Sequence, residues 1–511
     1  MKVAGGIAEY DPFHRGHAYH LAQTRRATGA DFVVIALAGD FVQRGGPAMF
    51  GQSLRSRMAL SCGADLVISL PYPFSCASAR DYASRAVAQF AAMECMDFLS
   101  FGCEIPAAYP SDKTGGTESE ACRSGVSAET EAEAYRSAER DDIEDPSGSQ
   151  VSADVSHRRP DSRLLSDLRR AAHILTAEPE AFRAALKAGL RQGLTFPAAQ
   201  QEALLAADPG LASLNLSSPN LILGLEYLKA LEASGAGIEP VLIPRVGAGH
   251  DQAAAPAGPE TCGTAEAVYS ETIACGPPEA PSSATEASDP SGFLSASAIR
   301  AMLREDRSIS DAAAAAVPEA VLPLLEDALC RKYSVSPDDL LLPLLLRLSG
   351  LSREDLEGVF DLPPALAARI AKSDKTAGSF SAYAQSLKTR DITEARVRRA
   401  LVHALLETSE NDMALYKDPS ALYVRVLGFR KSAAPLLARL KETCTVPLIT
   451  SPAQALSAQG EEALPPAAAA LLRAELAAAE RYRTLQLVRA GGGASDDLKP
   501  WLRRPLVILD A

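Results

Sequence analysis

The stretch Asp11-Pro12-Phe13-His14-Arg15-Gly16-His17 decides the fold, because it follows directly after a short apolar run at residues 2–7. The run predicts a buried first strand, and a helix is expected from Ala18 onward. A strand that stops at a proline and restarts as a helix directs free backbone N–H groups, and the positive end of the helix dipole, into the intervening turn. The turn therefore predicts a phosphate-binding site of the kind that suits a nucleoside triphosphate.

Two imidazoles flank a glycine in this turn. Gly16 allows the backbone to approach a ligand closely, and His14 and His17 can each donate a hydrogen bond to phosphate oxygens as negative charge develops during attack on the α-phosphorus. The alternative is that both histidines only cap the helix. Three of the seven histidines, at positions 14, 17 and 20, fall within the first twenty residues, and this concentration favours the phosphate site.

Strands and helices alternate along the first hundred residues. The predicted strands cover residues 3–7, 32–37, 66–68 and 98–101, and the predicted helices begin at 18, 55 and 77. This alternation predicts an α/β fold with a Rossmann-like, doubly wound parallel sheet. Ligands of such sheets collect at the carboxyl ends of the strands, where Asp11, Gly39 and Gly102 are expected.

The composition is that of a globular protein with several domains. The chain has 511 residues, 47% hydrophobic and 23% charged, and this length suggests roughly two to four domains. No apolar run approaches the roughly 20 residues that span a bilayer, and the first strand lacks the flanks of a signal peptide, so we expect a cytoplasmic protein. The nine cysteines include no C-x-x-C pair, which argues against a disulfide framework or a structural zinc site.

The acidic charge is concentrated in two segments. The chain carries a formal net charge of −13, and residues 105–161 and 251–292 each contribute −7, so that the rest of the chain is close to neutral. A local basic face that binds nucleic acid is therefore allowed, although the total charge argues against one. Both segments are rich in Ala, Ser, Gly, Glu, Thr and Pro with little apolar periodicity, and we expect them to be mobile insertions.

The remaining sequence divides into two predicted domains. The predicted nucleotide-binding catalytic domain comprises residues 1–104, 162–250 and 293–305. The second is a predicted all-helical domain, residues 306–511. Within the first, helical spacing covers 164–190, a helix opens at Pro219-Asn220, and a strand at 240–244 delivers Arg245. Ser295 is the expected N-cap of a helix at 296–303 that carries Arg300, although both side chains could be ordinary surface residues.

One helix of the second domain is rich in arginine. Within residues 389–405, Arg396, Arg399 and His403 are expected on one face. A solvated charged face is the commoner explanation of such a pattern, and contact with RNA is the alternative.

Eight sequence blocks, taken in order, resemble one family. Together they are similar to the tRNA(Met) cytidine acetate ligases, which belong to the HxGH-type nucleotidyltransferase superfamily. The blocks are EYDPFHRGH (9–17), GDFVQRG (39–45), DLVISLP (65–71), FGCE (101–104), SPNLILGLEY (218–227), IPRV (243–246), SASAIR (295–300) and YVRVLGF (423–429).

The resemblance implies an ATP-dependent ligase. Such an enzyme activates acetate as acetyl-adenylate, releases pyrophosphate, and transfers the acetyl group to N4 of the wobble cytidine of elongator tRNA(Met). Mg²⁺ would accompany the ATP without a dedicated protein site. In the superfamily the SASAIR block closes over the triphosphate, and the likeness also favours RNA contact for Arg396 and Arg399.

The resemblance also implies a set of ATP-binding residues, with His14 and His17 as the catalytic pair on the phosphates. Gly102 and Asn220 are expected against the adenosine, and Arg245 and Val246 complete the site. The other expected contacts are Ile7, Ala8, Glu9, Tyr10, Asp11, Pro12, Phe13, Arg15, Gly16, Ala18, Tyr19 and His20.

The sequence departs from the family at several positions. The family commonly has Asn at Asp11, Lys-Trp at Gln52-Ser53 and Glu at Ser69. Asp11 is shared with nicotinate-nucleotide adenylyltransferases, which are the enzymatic alternative, but such enzymes have no evident use for the long helical region. Loss of the lysine also leaves open a non-catalytic protein that binds nucleotide and tRNA.

Overall fold

The computed structural model describes residues 1–105, 109, 162–214, 216, 218–245, 294–305, 309–390, 392–491 and 506–508. Val246, the insertion predicted at 251–292 and nearly all of the insertion predicted at 105–161 lie outside the described residues.

The strands, in chain order, are β1 (Val3–Ala8), β2 (Phe32–Ala38), β3 (Phe41–Val42), β4 (Gly46–Pro47), β5 (Leu66–Leu70), β6 (Phe98–Cys103), β7 (Glu239–Pro244), β8 (Val424–Arg430), β9 (Leu448–Ile449) and β10 (Leu506–Ile508).

The helices of the first half are α1 (Arg15–Thr28), α2 (Gln52–Ser61), α3 (Ala79–Ala92), α4 (Ser162–Ala177), α5 (Glu180–Arg191), α6 (Phe196–Ala207), α7 (Pro219–Ser234) and α8 (Ala296–Glu305). Those of the second half are α9 (Asp311–Ala316), α10 (Leu322–Cys330), α11 (Leu341–Ser349), α12 (Arg353–Glu357), α13 (Pro364–Lys372), α14 (Phe380–Leu387), α15 (Glu394–Leu405), α16 (Glu410–Tyr416), α17 (Ala434–Thr443), α18 (Pro452–Ser457) and α19 (Pro466–Arg489). Short 3₁₀ turns lie at Phe74–Cys76, Pro209–Leu211, Glu319–Val321, Pro337–Leu340, Pro419–Ala421, Lys431–Ala433 and Gly460–Glu462.

Five parallel strands form the centre of the sheet, in the order β5-β2-β1-β6-β7. From β1 the chain passes to β2 on one side and later to β6 on the other, so the connections reverse direction at the carboxyl ends of β1 and β6. Six of the seven residues of β2 are buried, as expected for a strand covered by helices on both faces. The predicted doubly wound α/β fold is confirmed.

The mostly helical second half also contributes strands that the sequence analysis did not predict. Strand β8 pairs antiparallel with β5, Leu66 opposite Phe429, and β9 and β10 pair with β8. Residues from both sides of the predicted boundary at 306 therefore share one sheet, and that boundary stays a prediction. No helix among the described residues has the length and apolarity needed to cross a membrane.

Several predicted helices have different bounds in the structure. Those expected from 55 and 77 begin at Gln52 and Ala79. The helical spacing at 164–190 covers two helices, because Glu178 has a left-handed φ of +44° and Pro179 follows it as the N-cap of α5. The helix expected from Ala18 begins at Arg15. The histidine pair therefore lies at the very start of the helix.

Candidate active site

His14 and His17 together cap the first turn of α1. Nδ1 of His14 accepts the N–H of Gly16 at 3.1 Å, and Nδ1 of His17 accepts the N–H of His14 at 3.3 Å. The capping role that the sequence left as an alternative is therefore real. It does not compete with phosphate binding, because a neutral imidazole that accepts at Nδ1 carries its proton on Nε2, where it can donate.

Gly16 is required by the position of the neighbouring ring. A Cβ atom at this position would lie 2.9 Å from Cε1 and 3.1 Å from Nδ1 of His14. Any other residue would therefore force the His14 ring out of its capping position, and the glycine between the two histidines has a steric cause.

His17 and His20 are held neutral. Burial lowers the pKa of His17 well below its usual value, and the neighbouring His14, Arg245 and His20 lower it further. Burial and then Arg245 lower the pKa of His20 to about 4, and Nε2 of His20 lies 3.2 Å from Oγ of Ser100. Donation from these rings at neutral pH is therefore donation by uncharged imidazole.

A cavity of about 860 Å³ lies over the carboxyl ends of β1, β6 and β7, at the position where such sheets bind ligands. Most of the predicted nucleotide-binding residues line it. They are Ile7, Ala8, Glu9, Tyr10, Asp11, His14, Gly16, His17, Tyr19, His20, Gly102, Asn220 and Arg245, together with Ser295 and Arg300 of the SASAIR block.

Four residues of the predicted stretch 7–20 are not among the residues that line this cavity: Pro12, Phe13, Arg15 and Ala18. Phe13 is fully buried in the core, and Nε of Arg15 donates to the carbonyl of Val317 at 3.4 Å. Arg15 and Ala18 lie on the flank of α1 that packs toward the second half of the chain. Val246 lies outside the described residues.

Glu104 organises the side of the cavity at β6 and β7. Its carboxylate accepts hydrogen bonds from Oγ of Ser218 and Nδ2 of Asn220 and lies 3.6 Å from Nε of Arg245. Although burial raises the pKa of Glu104, the hydrogen bonds from Ser218 and Asn220 lower it below its usual value overall. Asn220 therefore does more than open α7, because it joins that helix to the end of β6.

Gly102 lies on the same side of the cavity, where an added Cβ would make only ordinary van der Waals contacts. A Cβ at Gly102 would meet Cγ of Arg245 at 3.5 Å and Cδ2 of His20 at 3.9 Å. Cys103 points away from it and is fully buried, with its thiol pKa raised to about 12 by burial. This thiol is a packing group.

Asp11 ties the turn to the SASAIR helix. Its Oδ1 accepts the N–H of Met49 at 2.7 Å, and its backbone carbonyl accepts Nη1 of Arg300 at 2.6 Å. The same guanidinium lies 3.6 Å from Oδ2 of Asp11, and Nη2 donates to Oγ of Ser297 at 3.0 Å. Arg300 is therefore a partner of the turn and not a solvated surface residue.

A buried arginine that was not predicted from the sequence binds the backbone next to the turn. Arg55 is fully buried and donates to the carbonyl oxygens of Glu9, Ala38 and Gly39, the last at 2.7 Å. It thereby joins the segments that follow β1 and β2. A buried arginine in α2 that satisfies backbone carbonyls leaves no periodic signal in the sequence.

The departures at positions 52 and 69 lie in one buried network. Nε2 of Gln52 donates to Oγ of Ser69 at 3.0 Å, and Oγ of Ser69 donates to Glu475 of α19. Glu475 pairs in turn with Arg425 of β8 at 2.9 Å. Gln52 is buried and does not line the cavity.

Both arginines predicted to contact RNA bind one carboxylate. Nε of Arg396 and Nε of Arg399 donate to the two oxygens of Asp361, each at 2.9 Å. Arg396 is 44% exposed, whereas Arg399 is 13% exposed and lines the cavity. His403 is fully buried and contacts the hydroxyl of Tyr72 at 2.9 Å, so it does not share an exposed face with the arginines.

Among the described residues, no three His, Cys, Asp or Glu side chains converge in a way that could hold a metal ion.

The chain was compared with known proteins. The model of the HIGH Nucleotidyl Transferase family matches residues 1–138, 160–267 and 279–491. The tRNA(Met) cytidine acetate ligase of Acetivibrio thermocellus is 29% identical over 455 residues, which cover 88% of each chain. The enzyme of the same name from Bacillus velezensis is 28% identical over 453 residues, 88% of this chain and 87% of that protein.

Solved structures share the fold. The structure of Thermotoga maritima TmcAL bound with alpha-thio ATP superposes with a TM-score of 0.73 at 21% identity, and covers all of both chains. The apo form of the same protein gives a TM-score of 0.75. Together with a family match that spans most of the sequence, the HRGH turn at the start of α1 shows that this chain belongs to the HIGH nucleotidyl transferase family.

Proposed function

We propose that this chain is an ATP-dependent tRNA(Met) cytidine acetate ligase. The observation that carries the proposal is the composition of the cavity, in which His14 and His17 face residues from both the nucleotidyl transferase sheet and the mostly helical second half. An enzyme that only activates a small molecule needs no wall from such a region. The relatives named tRNA(Met) cytidine acetate ligase, each similar over 88% of this chain, support the same assignment.

In the first step, an acetate oxygen attacks the α-phosphorus of ATP, forms acetyl-adenylate and displaces pyrophosphate. The Nε2–H groups of His14 and His17 bind the phosphate oxygens as charge builds up on them, and the N-terminus of α1 adds its dipole. Gly102 and Asn220 bind the adenosine, Arg245 completes the site, and Arg300 closes over the triphosphate. Val246 belongs to the proposed set through the sequence motif alone.

In the second step, the N4 amine of the wobble cytidine attacks the acetyl carbon. The bond from that carbon to the phosphate oxygen breaks, AMP leaves with the electron pair, and N4 loses a proton. The cytidine must leave its stack in the anticodon loop to reach the cavity, as is usual when enzymes act on a base.

Mg²⁺ would reach the site bound to the triphosphate. The resemblance implies no dedicated protein ligands for it. A tRNA substrate places the protein in the cytoplasm.

Acetate-dependent exchange of pyrophosphate into ATP tests the proposal, followed by acetylation of tRNA(Met) with ATP and acetate and without coenzyme A. Exchange that requires acetate, together with N4-acetylcytidine at the wobble position, is the expected result. Transfer of AMP to nicotinate mononucleotide without acetate would replace the proposal with the adenylyltransferase alternative. Tight binding of tRNA without exchange would leave a non-catalytic binding protein.

A further inference from the structure

One wall of the cavity comes from the first turns of α15. Thr393, Ala395 and Arg399 line it, although they follow the nucleotide-binding turn by almost four hundred residues. Thr393 is the N-cap of this helix. Gly102 and Asn220, which are assigned to adenosine, lie at the end of β6 and at the start of α7. The hairpin of β3 and β4 instead follows β2, on the opposite side of β1. The cavity therefore has a side that the adenosine contacts do not use.

The hairpin is packed directly on the backbone of α15. Gly45 in its turn has a φ of +80°, and a Cβ there would lie 2.4 Å from the backbone N of Arg399 and 2.6 Å from Cβ of Arg398. Only glycine combines this left-handed conformation with so close an approach. As a result, Gln43 and Arg44 of the hairpin turn and Arg399 of α15 line the same cavity.

Positive charge from three elements converges at this side. Arg44 is exposed, donates to Oγ of Ser297 at 3.3 Å, and forms no ion pair with any described residue. The pKa of Arg304 in α8 is lowered, mainly by burial. The nearby charges of Arg300 in α8 and Arg398 in α15 lower it further.

Carboxylates neutralise this charge in part. Asp361 binds Arg399, Glu394 binds Arg398, and Asp11 lies near Arg300. Glu9 faces Arg44, and burial raises the pKa of its carboxyl group. Asp338 also faces Arg304. Arg44 keeps an unpaired guanidinium at the cavity wall among like charges, an arrangement that an anionic ligand would stabilise.

We propose that Arg44 and Arg399 form a subsite for the acceptor nucleotide, in which they bind the phosphates that flank the target cytidine. The inference rests on the proposed function and adds the place where the RNA strand enters. Phosphate contacts fix the position of a nucleic acid on a protein, and enzymes that flip a base also contact the nucleotides on either side of it. Arg396, one turn before Arg399 and 44% exposed, continues the path outward along α15.

The test compares Arg44→Gln and Arg399→Gln with Arg353→Gln in the full-length protein. Arg353 is an exposed control on α12 that pairs with Glu357 at 2.8 Å. Pyrophosphate exchange gives the KM for ATP, and acetylation of transcribed tRNA(Met) gives the KM for RNA. We expect the KM for RNA to rise about tenfold in each of the first two variants, with a much smaller change in the KM for ATP. Arg44→Lys, which keeps the charge, should restore part of the loss.

The possible failures are distinguishable. A higher KM for ATP with an unchanged KM for RNA would assign Arg44 to the triphosphate and overturn the subsite. Unchanged values for both substrates in Arg44→Gln would overturn it as well, while the proposed function stands. A wild-type chain without acetate-dependent exchange would overturn the proposed function and the subsite with it. If Arg399→Gln lowers the melting temperature, Arg44→Gln decides alone, because Arg44 is exposed and, among the described residues, its side chain donates a single hydrogen bond, to Ser297.

Discussion

The rings of His14 and His17 stack with their centroids 3.7 Å apart and an angle of 27° between their planes. Each ring binds a backbone N–H of the same helical turn through Nδ1. The capping bonds fix the tautomer and orientation of both imidazoles, so that the structural role of the pair prepares the catalytic one. A substitution must therefore separate the two roles before it can test either.

Replacement of His14 by asparagine makes this separation. Asparagine is a favourable N-cap residue but carries no counterpart of the Nε2–H donor. We expect His14→Asn to keep a near-normal melting temperature and to lower the rate of acetate-dependent exchange by about two to three orders of magnitude, as when one transition-state donor is removed. ATP binding should change much less. Near-normal exchange in His14→Asn and in His17→Ala would show that the histidines are caps alone.

Gly16→Ala tests the steric link between the glycine and the ring. Because the added methyl group would lie 2.9 Å from His14, the ring must move, and we expect exchange to fall nearly as far as in His14→Asn. Gly237→Ala is the matched control, since a Cβ there meets no atom within 4 Å. Full exchange activity in Gly16→Ala would contradict the steric explanation.

The acid sensitivity of folding should depend on His20. Its pKa is about 4 in the folded chain against 6.5 in the unfolded one, so below pH 6.5 the unfolded chain binds a proton that the folded chain does not. The titration of His20 therefore leaves the free energy of unfolding unchanged above pH 6.5, and it lowers that free energy as the pH drops from 6.5 toward 4. Between pH 7 and pH 5 this loss amounts to up to about 2 kcal/mol.

Urea denaturation of the wild type and of His20→Gln at both pH values measures this effect. The unfolding free energy of the wild type should drop more between pH 7 and pH 5 than that of the variant. His403, whose pKa burial and then Arg399 lower to about 3, contributes equally to both proteins and cancels. Equal drops in the two proteins would show that His20 does not titrate in this way.

The buried pair Glu475 and Arg425 should be important for stability. The two side chains are 4% and 2% exposed, and removal of one charge leaves the other buried without its partner. We expect Glu475→Gln to lower the free energy of unfolding by about 3 kcal/mol or more. The exposed pair of Arg353 and Glu357 provides the control. Glu357→Gln should change the free energy of unfolding by less than about 1 kcal/mol. Equal losses would show that the buried pair is not special.

The first acidic insertion should be dispensable, apart from one residue at its start. Tyr109 is 2% exposed and donates to Oδ2 of Asp167 in α4 at 2.8 Å. Excision of residues 114–157 with a Gly/Ser bridge should leave melting temperature and exchange largely unchanged, because the segment is too poor in apolar residues to bury much surface. Tyr109→Ala, by contrast, should lower the melting temperature. A large loss on excision would mean that the segment packs on the core.

The sequence by itself determined the parts of this protein that depend on neighbours in the chain. An apolar run, a proline, a glycine between two histidines and a helical repeat lie within twenty residues, and they specify the strand, the turn and the phosphate-binding helix end. The alternation that continues to Cys103 specifies the parallel sheet, since β1, β2, β5 and β6 are short and apolar and a helix lies between each of them and the next. Local patterns of this kind carry information about backbone conformation.

The tertiary structure alone decided which distant residues meet. Arg55 binds the carbonyls behind the turn, Glu475 reaches Ser69 across 406 positions, and Arg399 enters the wall of the nucleotide cavity. Strand β8 belongs to the sheet because it forms hydrogen bonds with the edge of β5 and because Glu475 neutralises its buried Arg425. Each of these outcomes depends on pairing and burial between segments far apart in the chain, and no local spacing of residue types encodes the partner.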